Sequence, residues 1–409
     1  MGGGVYLKEE NQQRIKICVV TATRAEYGIL KPLIRRLEEV DGWDTQLVVT
    51  GAHLVGKLGD TYREIEQDGI QIHKKIPINT EGNTEFDISQ IMANALVGFG
   101  CYFQEERPDL LVVLGDRTEL LAICLAAVNA HVPIAHIHGG ELTFGAVDDC
   151  MRHAITKLSH LHFAAAEEYR NRIIQMGEEP GRVFNVGALG VENIRNEELM
   201  TIEALGEDVG FPASQDYVVV TFQPVTLEWE QVKEQVQELF AAMRERADFF
   251  YLVTKANADA GGDLINQFME QETAKFPNMK LVSSLGMKRY LSAVNHARFV
   301  LGNSSSGVIE APALGTPTVN IGSRQGGRIL ANSVICCKPE RSSILNAMDI
   351  AMYKEHGVCE SPYGNGGTSG RIVQILKRVF QEGKICLGKK FYDIKWEADN
   401  GTFGGNPGA

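Results

Sequence analysis

Residues 297–321 read ARFVLGNSSSGVIEAPALGTPTVNI, and this stretch decides the fold class. Its first, apolar residues predict a buried strand, residues 302–306 predict a tight turn, and residues 308–314 show helical spacing that the following Thr-Pro pair ends. Residues 318–321 then predict another strand. Strand, small-residue turn and helix in this order are typical of a parallel α/β sheet.

The turn and the helix start form a candidate site for an anion. The backbone N–H groups of the first helical turn, the helix dipole and the hydroxyls of Ser304, Ser305 and Ser306 suit a phosphate or a diphosphate. Glu310 follows in the helix, where its carboxylate can accept hydrogen bonds from the two vicinal hydroxyls of a ribose. The alternative is a serine-rich helix cap with Glu310 as a favourable acid in the first turn. This stretch alone does not distinguish the two.

The composition is that of a globular chain of 409 residues, 44% hydrophobic and 22% charged, which is long enough for two domains of about 150 to 200 residues each. A net charge of −12 opposes nucleic acids and anionic membranes as partners, so an anionic ligand has to be met by locally placed arginines. Eight cysteines without a C-x-x-C pair, and no recognisable secretory leader or membrane span, lead us to expect reduced thiols in a cytoplasmic protein.

Four apolar, β-branched runs in the first half predict parallel strands, at residues 15–21, 46–50, 109–114 and 132–137. Charged and polar residues follow each run. Because the carboxyl ends of parallel strands meet at the edge where α/β sheets bind ligands, we expect these side chains to line one wall of a cleft. They are Arg24, His53, Asp116, Arg117, His136, His138, Glu141, Asp148, Asp149, Arg152 and His153.

Carboxylates beside histidines and arginines favour a general acid/base site on this wall. His136 and His138 are also candidate metal ligands, but no cysteine joins them and no H-x-x-x-H spacing is present, so we predict no metal site. For Arg24, a solvent-facing side chain is an equal alternative. His160 and His162 lie in an apolar, strand-like run and are expected to be core histidines.

The second half repeats this organisation after an acidic, polar stretch that ends near residue 212 and predicts a domain junction. Strands are predicted at residues 216–222, 249–254 and 279–282, beside the two in the opening stretch. Polar loops follow them. In the last of these loops, Arg324 and Arg328 carry the charge needed to neutralise a diphosphate held by the serines.

Seven motifs in a fixed order carry a resemblance to a known family. They are T-x-x-R-A-E-Y-G from Thr21, G-A-H-L from Gly51, G-D-R from Gly115, H-I-H-G-G-E from His136, D-D-x-x-R-H-A-I-T-K-L from Asp148, G-N-S-S-S-G-V-x-E from Gly302 and G-S-R-Q-G-G-R from Gly322. Through them the chain resembles the UDP-N-acetylglucosamine 2-epimerases, from about residue 15 to about residue 377. Within that family it is similar to the hydrolysing branch, which supplies N-acetylmannosamine for sialic acid synthesis and includes the epimerase half of the bifunctional animal enzyme.

The resemblance implies a glycosyltransferase-B-like fold, in which two Rossmann-like domains with doubly wound parallel sheets face each other across a deep cleft. In such a fold UDP is held mainly by the second domain, and the final helix crosses back onto the first. We also expect a homo-oligomer, either a dimer or a tetramer. The expected parts are a disordered lead-in at residues 1–14, domains at 15–187 and 188–368, a returning helix at 369–390 and a loose tail at 391–409.

For the chemistry, the resemblance implies that a base removes the proton on the sugar carbon that bears the acetamido group, UDP leaves to give a glycal, and water adds with inverted configuration at that carbon. Neither NAD nor pyridoxal phosphate is needed, so no cofactor is expected. The resemblance assigns proton handling to Asp116 and Asp148, places His138, Glu141 and Arg152 in the same catalytic group, and gives the sugar His53, His136 and also Arg152. It assigns UDP binding to Arg24, Arg117, Gln223, Asn257, Ser304, Ser305, Glu310 and Arg324.

Two positions depart from the animal-type pattern, which has a glutamate in place of His138 and a histidine in place of Gln223. His138 can shuttle a proton near neutral pH, so the step survives while its pH optimum can differ. Gln223 can donate a hydrogen bond but carries no charge. H-I-H-G-G-E resembles bacterial members, some of which act on UDP-N-acetylglucosamine and others on UDP-2,4-diacetamido-2,4,6-trideoxyglucose in legionaminic acid synthesis.

Two other functional classes use the same fold features. A UDP-sugar glycosyltransferase has no need of the cluster of Asp116, His138, Asp148 and Arg152, and neither has a protein that only senses UDP-sugars. Incubation with UDP-N-acetylglucosamine and no acceptor distinguishes the three classes.

Overall fold

The computed structural model describes residues 14–394, apart from residues 57–58, 81, 83, 144–146, 213, 224–228, 257–261, 358–360 and 384. The expected lead-in, except Arg14, and residues 395–409 of the expected tail lie outside the described residues, as does Asn257. No helix in the described part has the length and apolar character that crossing a bilayer requires.

The first half of the chain forms a seven-stranded sheet in which all neighbouring strands are parallel. Its strands are β1 Ile15–Thr21, β2 Trp43–Thr50, β3 Ile72–Ile76, β4 Leu110–Leu114, β5 Ile134–Ile137, β6 Leu161–Ala164 and β7 Val183–Asn185. Their order in the sheet is β3-β2-β1-β4-β5-β6-β7. The helices are α1 Arg24–Glu38, α2 Tyr62–Gln67, α3 Glu85–Glu106, α4 Thr118–Asn129, α5 Asp148–Leu158, α6 Glu167–Gln175 and α7 Leu189–Asn196.

The second half forms a six-stranded sheet, also parallel throughout. After α8 Ile202–Val209, its strands are β8 Tyr217–Thr221, β9 Phe250–Thr254, β10 Met279–Val282, β11 Phe299–Gly302, β12 Thr318–Ile321 and β13 Val334–Cys337, in the order β10-β9-β8-β11-β12-β13. The helices are α9 Trp229–Glu245, α10 Gly262–Thr273, α11 Gly286–His296, α12 Glu310–Ala313, α13 Arg341–Tyr353 and α14 Thr368–Gln381.

Both sheets have the switch in strand order that creates ligand crevices in α/β proteins. The chain runs outward from β1 to β3 and returns on the other side of β1 with β4, and it repeats this course around β8 with β11. The loops after the two strands at each switch diverge and leave an opening at the carboxyl edge of the sheet. The fold class predicted from the sequence, two doubly wound parallel sheets, is confirmed.

Three strands went unpredicted, and the structure shows why. β3 and β13 lie at sheet edges and β7 has three residues, so none carries the long apolar run of a central strand. The helix expected at residues 308–314 was wrong in extent. A 3₁₀ turn at Ser305–Gly307 comes first and α12 has four residues, because Pro312 has no N–H to donate to the carbonyl four residues earlier.

The last helix packs against the first sheet. Ile372 and Leu376 of α14 are fully buried in the same core as Val19 of β1 and Leu30 of α1. The helix ends at Gln381, and Gly383 beyond it adopts a positive φ of 120°. Beyond it the chain stays on the first half, where the Tyr392 N–H donates to the Gly177 carbonyl at 2.9 Å.

Candidate active site

The loops that follow the strands of the two sheets face each other across a cleft of about 1080 Å³. Arg24 at the start of α1 lies on one wall, and Ser304 and Arg324, from the loops after β11 and β12, lie on the other. The two walls come close together where a Cβ on Gly28 of α1 would lie 2.6 Å from the Cε of Met287 in α11. Residues from both halves therefore enclose the cleft.

Asn303 fixes the loops at the second switch point. Gly302 before it has φ 141°, and a Cβ there would clash with the carbonyl of Thr221 at the end of β8, so this position requires glycine. The Asn303 Oδ1 accepts the Gln223 N–H at 2.7 Å, and its Nδ2 donates to the Gln223 carbonyl at 2.8 Å. Asn303 was missed in the sequence, where it read only as a turn residue, and it holds Gln223, an expected UDP contact, in a buried position.

The anion-binding groups of this wall are hydroxyls and a guanidinium. Ser304 accepts the Ser306 N–H at 3.3 Å, and Ser304 and Ser305 both line the cleft. Arg324 Nη1 donates to the carbonyl of Asn303 at 3.1 Å, which places its charge beside the serines. A four-residue α12 contributes little helix dipole, so the expected contribution from the helix start is replaced by these side chains. The wall has the donors that a diphosphate needs.

Glu310 is a carboxylate with unmet hydrogen-bonding capacity. Its Oε2 is buried and has no hydrogen-bond partner in the described part of the chain. A Cβ on Gly190 of α7 would lie 3.3 Å from its Oε1, so little room is left on that side. Burial raises the pKa of Glu310, an effect that its own backbone N–H, the nearby Ser306 hydroxyl and Arg328 oppose. A buried acceptor of this kind costs free energy unless a donor arrives, and a ligand hydroxyl is such a donor.

On the first sheet, Arg152 of α5 organises the candidate proton-transfer residues. Its side chain is 3% exposed and forms an ion pair with Asp116, at the end of β4, and another with Asp149 at 2.8 Å. It also donates to the Glu141 carbonyl at 2.9 Å. The structure thus brings Asp116, Glu141 and Arg152 together. Asp149 joins them; the sequence analysis named it among the polar residues that follow the strands, but the family resemblance assigned it no role. Asp148 lies exposed at the first residue of α5.

His138 lies next to the same cluster in a constrained turn. Its φ is 64°, in the left-handed region that few residues other than glycine adopt. Its Nδ1 lies 3.3 Å from Oε1 of Glu141, at an ion-pair distance, and its Nε2 accepts the Leu189 N–H at 3.4 Å. Burial lowers the pKa of His138, while Glu141 opposes the change. Oε2 of Glu141 lies 3.4 Å from Nη1 of Arg328, which comes from the second half of the chain.

His53 and His136, expected at the sugar, have both ring nitrogens occupied. His53 contacts the hydroxyls of Thr21 at 3.1 Å and Thr61 at 2.8 Å. His136 contacts the Thr156 hydroxyl at 3.1 Å and the carbonyl of Gly115 at 2.7 Å. Both rings are fully buried, and burial lowers the pKa of His53 to about 4 and that of His136 to about 3. In this structure the ring nitrogens of both histidines have partners within the protein, and a contact with the sugar stays a prediction.

Two further arginines expected at the UDP site form ion pairs with neighbouring glutamates. Arg24 pairs with Glu64 at 3.0 Å and is about half exposed. Arg117 donates from Nε to Glu119 at 2.7 Å. His160 and His162 are buried, as predicted for core histidines. Among the described residues, no group of three or more His, Cys, Asp or Glu side chains is arranged to hold a metal ion.

A family model described as UDP-N-acetylglucosamine 2-epimerase matches residues 35–377. The chain is 37% identical over 340 residues to the GDP/UDP-N,N'-diacetylbacillosamine 2-epimerase (hydrolyzing) of Campylobacter jejuni, a match that covers 83% of this chain and 87% of that protein. It is 37% identical over 386 residues to the polysialic acid biosynthesis protein P7 of Escherichia coli, covering 93% and 97%.

The fold is also similar to that of known structures. The crystal structure of UDP-GlcNAc 2-epimerase from Neisseria meningitidis bound to UDP-GlcNAc matches with a TM-score of 0.77 at 18% sequence identity. That match covers 89% of this chain and all of the other. At this identity the likeness establishes the fold, two Rossmann-like halves across a cleft.

Proposed function

Because the chain belongs to the UDP-N-acetylglucosamine 2-epimerase family, we propose that it is a hydrolysing 2-epimerase, which converts UDP-N-acetylglucosamine and water to N-acetylmannosamine and UDP for the synthesis of sialic-type acids. The observation that carries the proposal is the pairing of two walls in one cleft. The second-sheet side of the cleft carries the hydroxyls of Ser304 and Ser305 and the guanidinium of Arg324, and a buried cluster of carboxylates, a histidine and an arginine lies at the carboxyl ends of β4 and β5 in the first sheet.

In this proposal the second-sheet wall holds UDP. Ser304 and Ser305 donate to the diphosphate, and Arg324 offsets its charge from beside them. Arg24 approaches the same phosphates from α1 across the cleft. Glu310 accepts the two ribose hydroxyls, which supplies the donor that its buried oxygen lacks. Arg117, Gln223 and Asn257 remain proposed contacts on the basis of the family resemblance alone.

The first-sheet wall then handles protons. A base takes the proton from carbon 2 of the sugar, the bond between carbon 1 and the phosphate oxygen breaks, and that electron pair leaves with UDP to give a glycal. Water next adds its hydroxyl to carbon 1 and a proton to the opposite face of carbon 2. Asp116 and Asp148 are the proposed proton-handling carboxylates and His138 shuttles a proton, while Arg152 holds Asp116 in place. Elimination of UDP and addition of water involve no net oxidation or reduction, so this route calls for neither nicotinamide nor pyridoxal phosphate.

A second candidate substrate is UDP-2,4-diacetamido-2,4,6-trideoxyglucose, for legionaminic acid synthesis. The observation that favours it is the 37% identity to the C. jejuni protein, whose name specifies N,N'-diacetylbacillosamine. The reaction at carbons 1 and 2 is the same, and the substrates differ at carbons 4 and 6. Parallel turnover of the two nucleotide sugars under identical conditions decides between them by kcat/KM.

The test of the function is incubation with each nucleotide sugar and no acceptor. A hydrolysing 2-epimerase releases UDP and the 2-epimeric free sugar in equal amounts, and in deuterated water the product carries one deuterium at carbon 2. A glycosyltransferase releases little UDP without an acceptor, and a sensor releases none. Free sugar that keeps its original configuration and its original hydrogen at carbon 2 would indicate simple hydrolysis and overturn the proposal.

We also propose that the protein works as a homo-oligomer joined through α3 and α4. Residues 88–104 of α3 contain no charged residue, and Leu96 and Val97 of that helix and Leu125 and Val128 of α4 are exposed. On a chain of net charge −12, an uncharged apolar face is the surface on which a second copy meets least repulsion. Val97→Lys is expected to produce monomers in light scattering, whereas Tyr353→Lys, at an exposed aromatic on α13, leaves the assembly unchanged.

A further inference from the structure

Glu141 lies between the two halves of the molecule and contacts a charged or titratable group on each. Its Oε1 lies 3.3 Å from Nδ1 of His138, in the turn after β5, and its Oε2 lies 3.4 Å from Nη1 of Arg328, in the segment after β12. The Glu141 side chain is 5% exposed and that of Arg328 is 11% exposed. Two buried charges at this distance interact more strongly than a surface pair, and separating them would leave each uncompensated.

The turn that carries His138 and Glu141 is tightly held. Gly140, between them, has φ 77°, and a Cβ there would clash with the carbonyl of Tyr169 in α6. Arg172 of α6 donates to the Gly140 carbonyl. Together with the left-handed φ of His138, these constraints fold Glu141 back onto the histidine ring. The turn therefore fixes which group Nδ1 of His138 faces.

The segment that carries Arg328 is fixed at both ends. At one end, Arg324 and Gln325 donate to the Asn303 carbonyl at 3.1 Å and 2.8 Å, beside the serines of the anion site. At the other end, the Ile329 N–H donates to the Tyr169 hydroxyl at 3.2 Å, and the Tyr363 hydroxyl donates to the Ile329 carbonyl at 2.9 Å. One short segment thus connects the proposed diphosphate site to the proposed proton-transfer site.

We propose that Arg328 is a positioning residue for the reaction, which holds the Glu141 carboxylate against Nδ1 of His138 and so leaves Nε2 as the atom that exchanges a proton with the substrate. This inference rests on the proposed function for its catalytic part. Nε2 accepts the Leu189 N–H at 3.4 Å, a long hydrogen bond that the ring can exchange for a contact with the sugar. Arg328 acts through Glu141 and does not touch the reacting atoms.

The charges around His138 allow a test in which two substitutions change the pKa of His138 in opposite directions. Burial lowers the pKa of His138 most, Arg328 and Arg152 lower it further, and Glu141 and Asp116 raise it. Removing the charge of Arg328 is therefore expected to raise the pKa of His138, and removing the charge of Glu141 is expected to lower it. A loss of packing or of fold has no reason to produce opposite shifts.

The experiment compares Arg328→Gln, Arg328→Lys and Glu141→Gln with wild type by NMR titration of the histidine Cε1–H signals. The His138 signal is identified by its loss in His138→Gln, and no substrate is present. We expect the His138 midpoint to move to higher pH in Arg328→Gln, to lower pH in Glu141→Gln, and to stay close to wild type in Arg328→Lys. Arg341→Gln, an exposed arginine on α13 that pairs with Glu245, changes the net charge equally and is expected to leave the midpoint in place.

Kinetics then test the catalytic part of the inference. Arg328→Gln and Glu141→Gln are each expected to lower kcat about tenfold or more, the scale of a disturbed general base, with UDP affinity by calorimetry nearly unchanged. The acid limb of the kcat profile should move with the NMR midpoint in each variant. Midpoints that stay in place or move in the same direction in both variants overturn the proposal. If the wild type shows no turnover while the His138 midpoint still moves in opposite directions in Arg328→Gln and Glu141→Gln, the result contradicts the proposed function and not the positioning role of Arg328.

Discussion

The two walls of the cleft hold their polar groups in different states. On the second sheet, the Oε2 of Glu310 and the Oγ of Ser306 are buried without a hydrogen-bond partner among the described residues. On the first sheet, Arg152 is engaged by Asp116 and Asp149, and Glu141 lies between His138 and Arg328. Oε1 of Glu141 also lacks a hydrogen-bond partner among the described residues, but its carboxylate lies at ion-pair distance from both neighbours. The charges of the first wall are thus paired with each other, whereas Glu310 on the second wall forms no ion pair within the described part of the chain.

This difference follows from what each wall is proposed to do. A binding site gains affinity when its buried groups find their partners in the ligand, because the cost of leaving them unpaired is relieved on binding. A proton-transfer site needs side chains that are held in one orientation before the substrate arrives, and mutual ion pairs supply that constraint. Binding and chemistry should therefore be separable by mutation, and the largest effects should fall on the first wall.

The largest expected effect is on turnover. Asp116→Asn keeps the shape of the side chain but cannot accept a proton, so we expect kcat to fall by at least ~100-fold, the scale of a lost general acid or base. Affinity for UDP, measured by calorimetry, is expected to stay nearly unchanged because the proposed UDP groups lie on the other wall. Asp148→Asn is expected to behave in the same way.

Asp109→Asn is the matched control for this prediction. Asp109 precedes the same strand, β4, whose far end carries Asp116, and it accepts the Lys16 N–H at 3.0 Å on the opposite edge of the sheet. Its kcat is expected to stay near that of wild type. A parallel loss of UDP affinity in Asp116→Asn would show that the two walls are not independent.

The next effect is on binding. Glu310→Ala removes the proposed acceptor of the ribose hydroxyls, whose charge-assisted hydrogen bonding is worth ~1.5–3 kcal/mol in total, so we expect UDP affinity to fall by about ten- to a hundredfold. Calorimetry with UDP measures the loss, and circular dichroism checks that the fold is intact. Glu245→Ala, at an exposed glutamate on α9, serves as the control. Unchanged affinity would leave Glu310 as a favourable acid in the first turn of α12.

A smaller expected effect distinguishes the charge of Arg324 from its structural role in the second-sheet wall. Arg324→Gln is expected to weaken UDP binding about tenfold more than uridine binding, since the phosphates are present only in UDP and one charged hydrogen bond is at stake. Competition binding with both ligands measures the difference. Equal losses would mean that the substitution disturbs the Asn303 loop, to which Arg324 donates, and not the charge balance.

The sequence predicted which loops carry the candidate site residues, but it did not predict which of these side chains contact each other. The motifs after β4, β5 and β11 named Asp116, His138 and Ser304, because strand ends in a parallel sheet share one edge. The contact of Glu141 with Arg328 joins residues in different halves of the chain, and no local pattern announces it. A long-range ion pair depends on how the halves are placed, which strand periodicity does not determine.

The burial of His136 could have been predicted from the alternation of residues along β5, which the sequence analysis did not use. In β5 it lies two residues after Ile134, and alternation along a strand places both on the same face of the sheet, the one covered by α3 and α4. That face is buried, which accounts for the occupied ring nitrogens of His136. Period-two reasoning would have placed His136 in the buried core, and His138 differs from it because it lies beyond the end of β5, in the turn.

The smallest expected effect is a pH dependence of uridine binding. The carboxylate of Glu310 has a pKa raised by burial, and its ionised form is the better acceptor for the ribose hydroxyls. A carboxylate with a raised pKa is protonated at a higher pH than usual as the pH falls. Uridine affinity is therefore expected to be full above the raised pKa and to decline by about fivefold below it, the difference between a charge-assisted and a neutral hydrogen bond.

Uridine is the right probe because it carries no phosphate that titrates in the same range. Calorimetry of wild type and Glu310→Gln over a series of falling pH values should show a decline in the first and a flat profile in the second. The same decline in both proteins would show that another group controls the pH dependence. The ionised carboxylate of Glu310 would then not be the acceptor for the ribose hydroxyls.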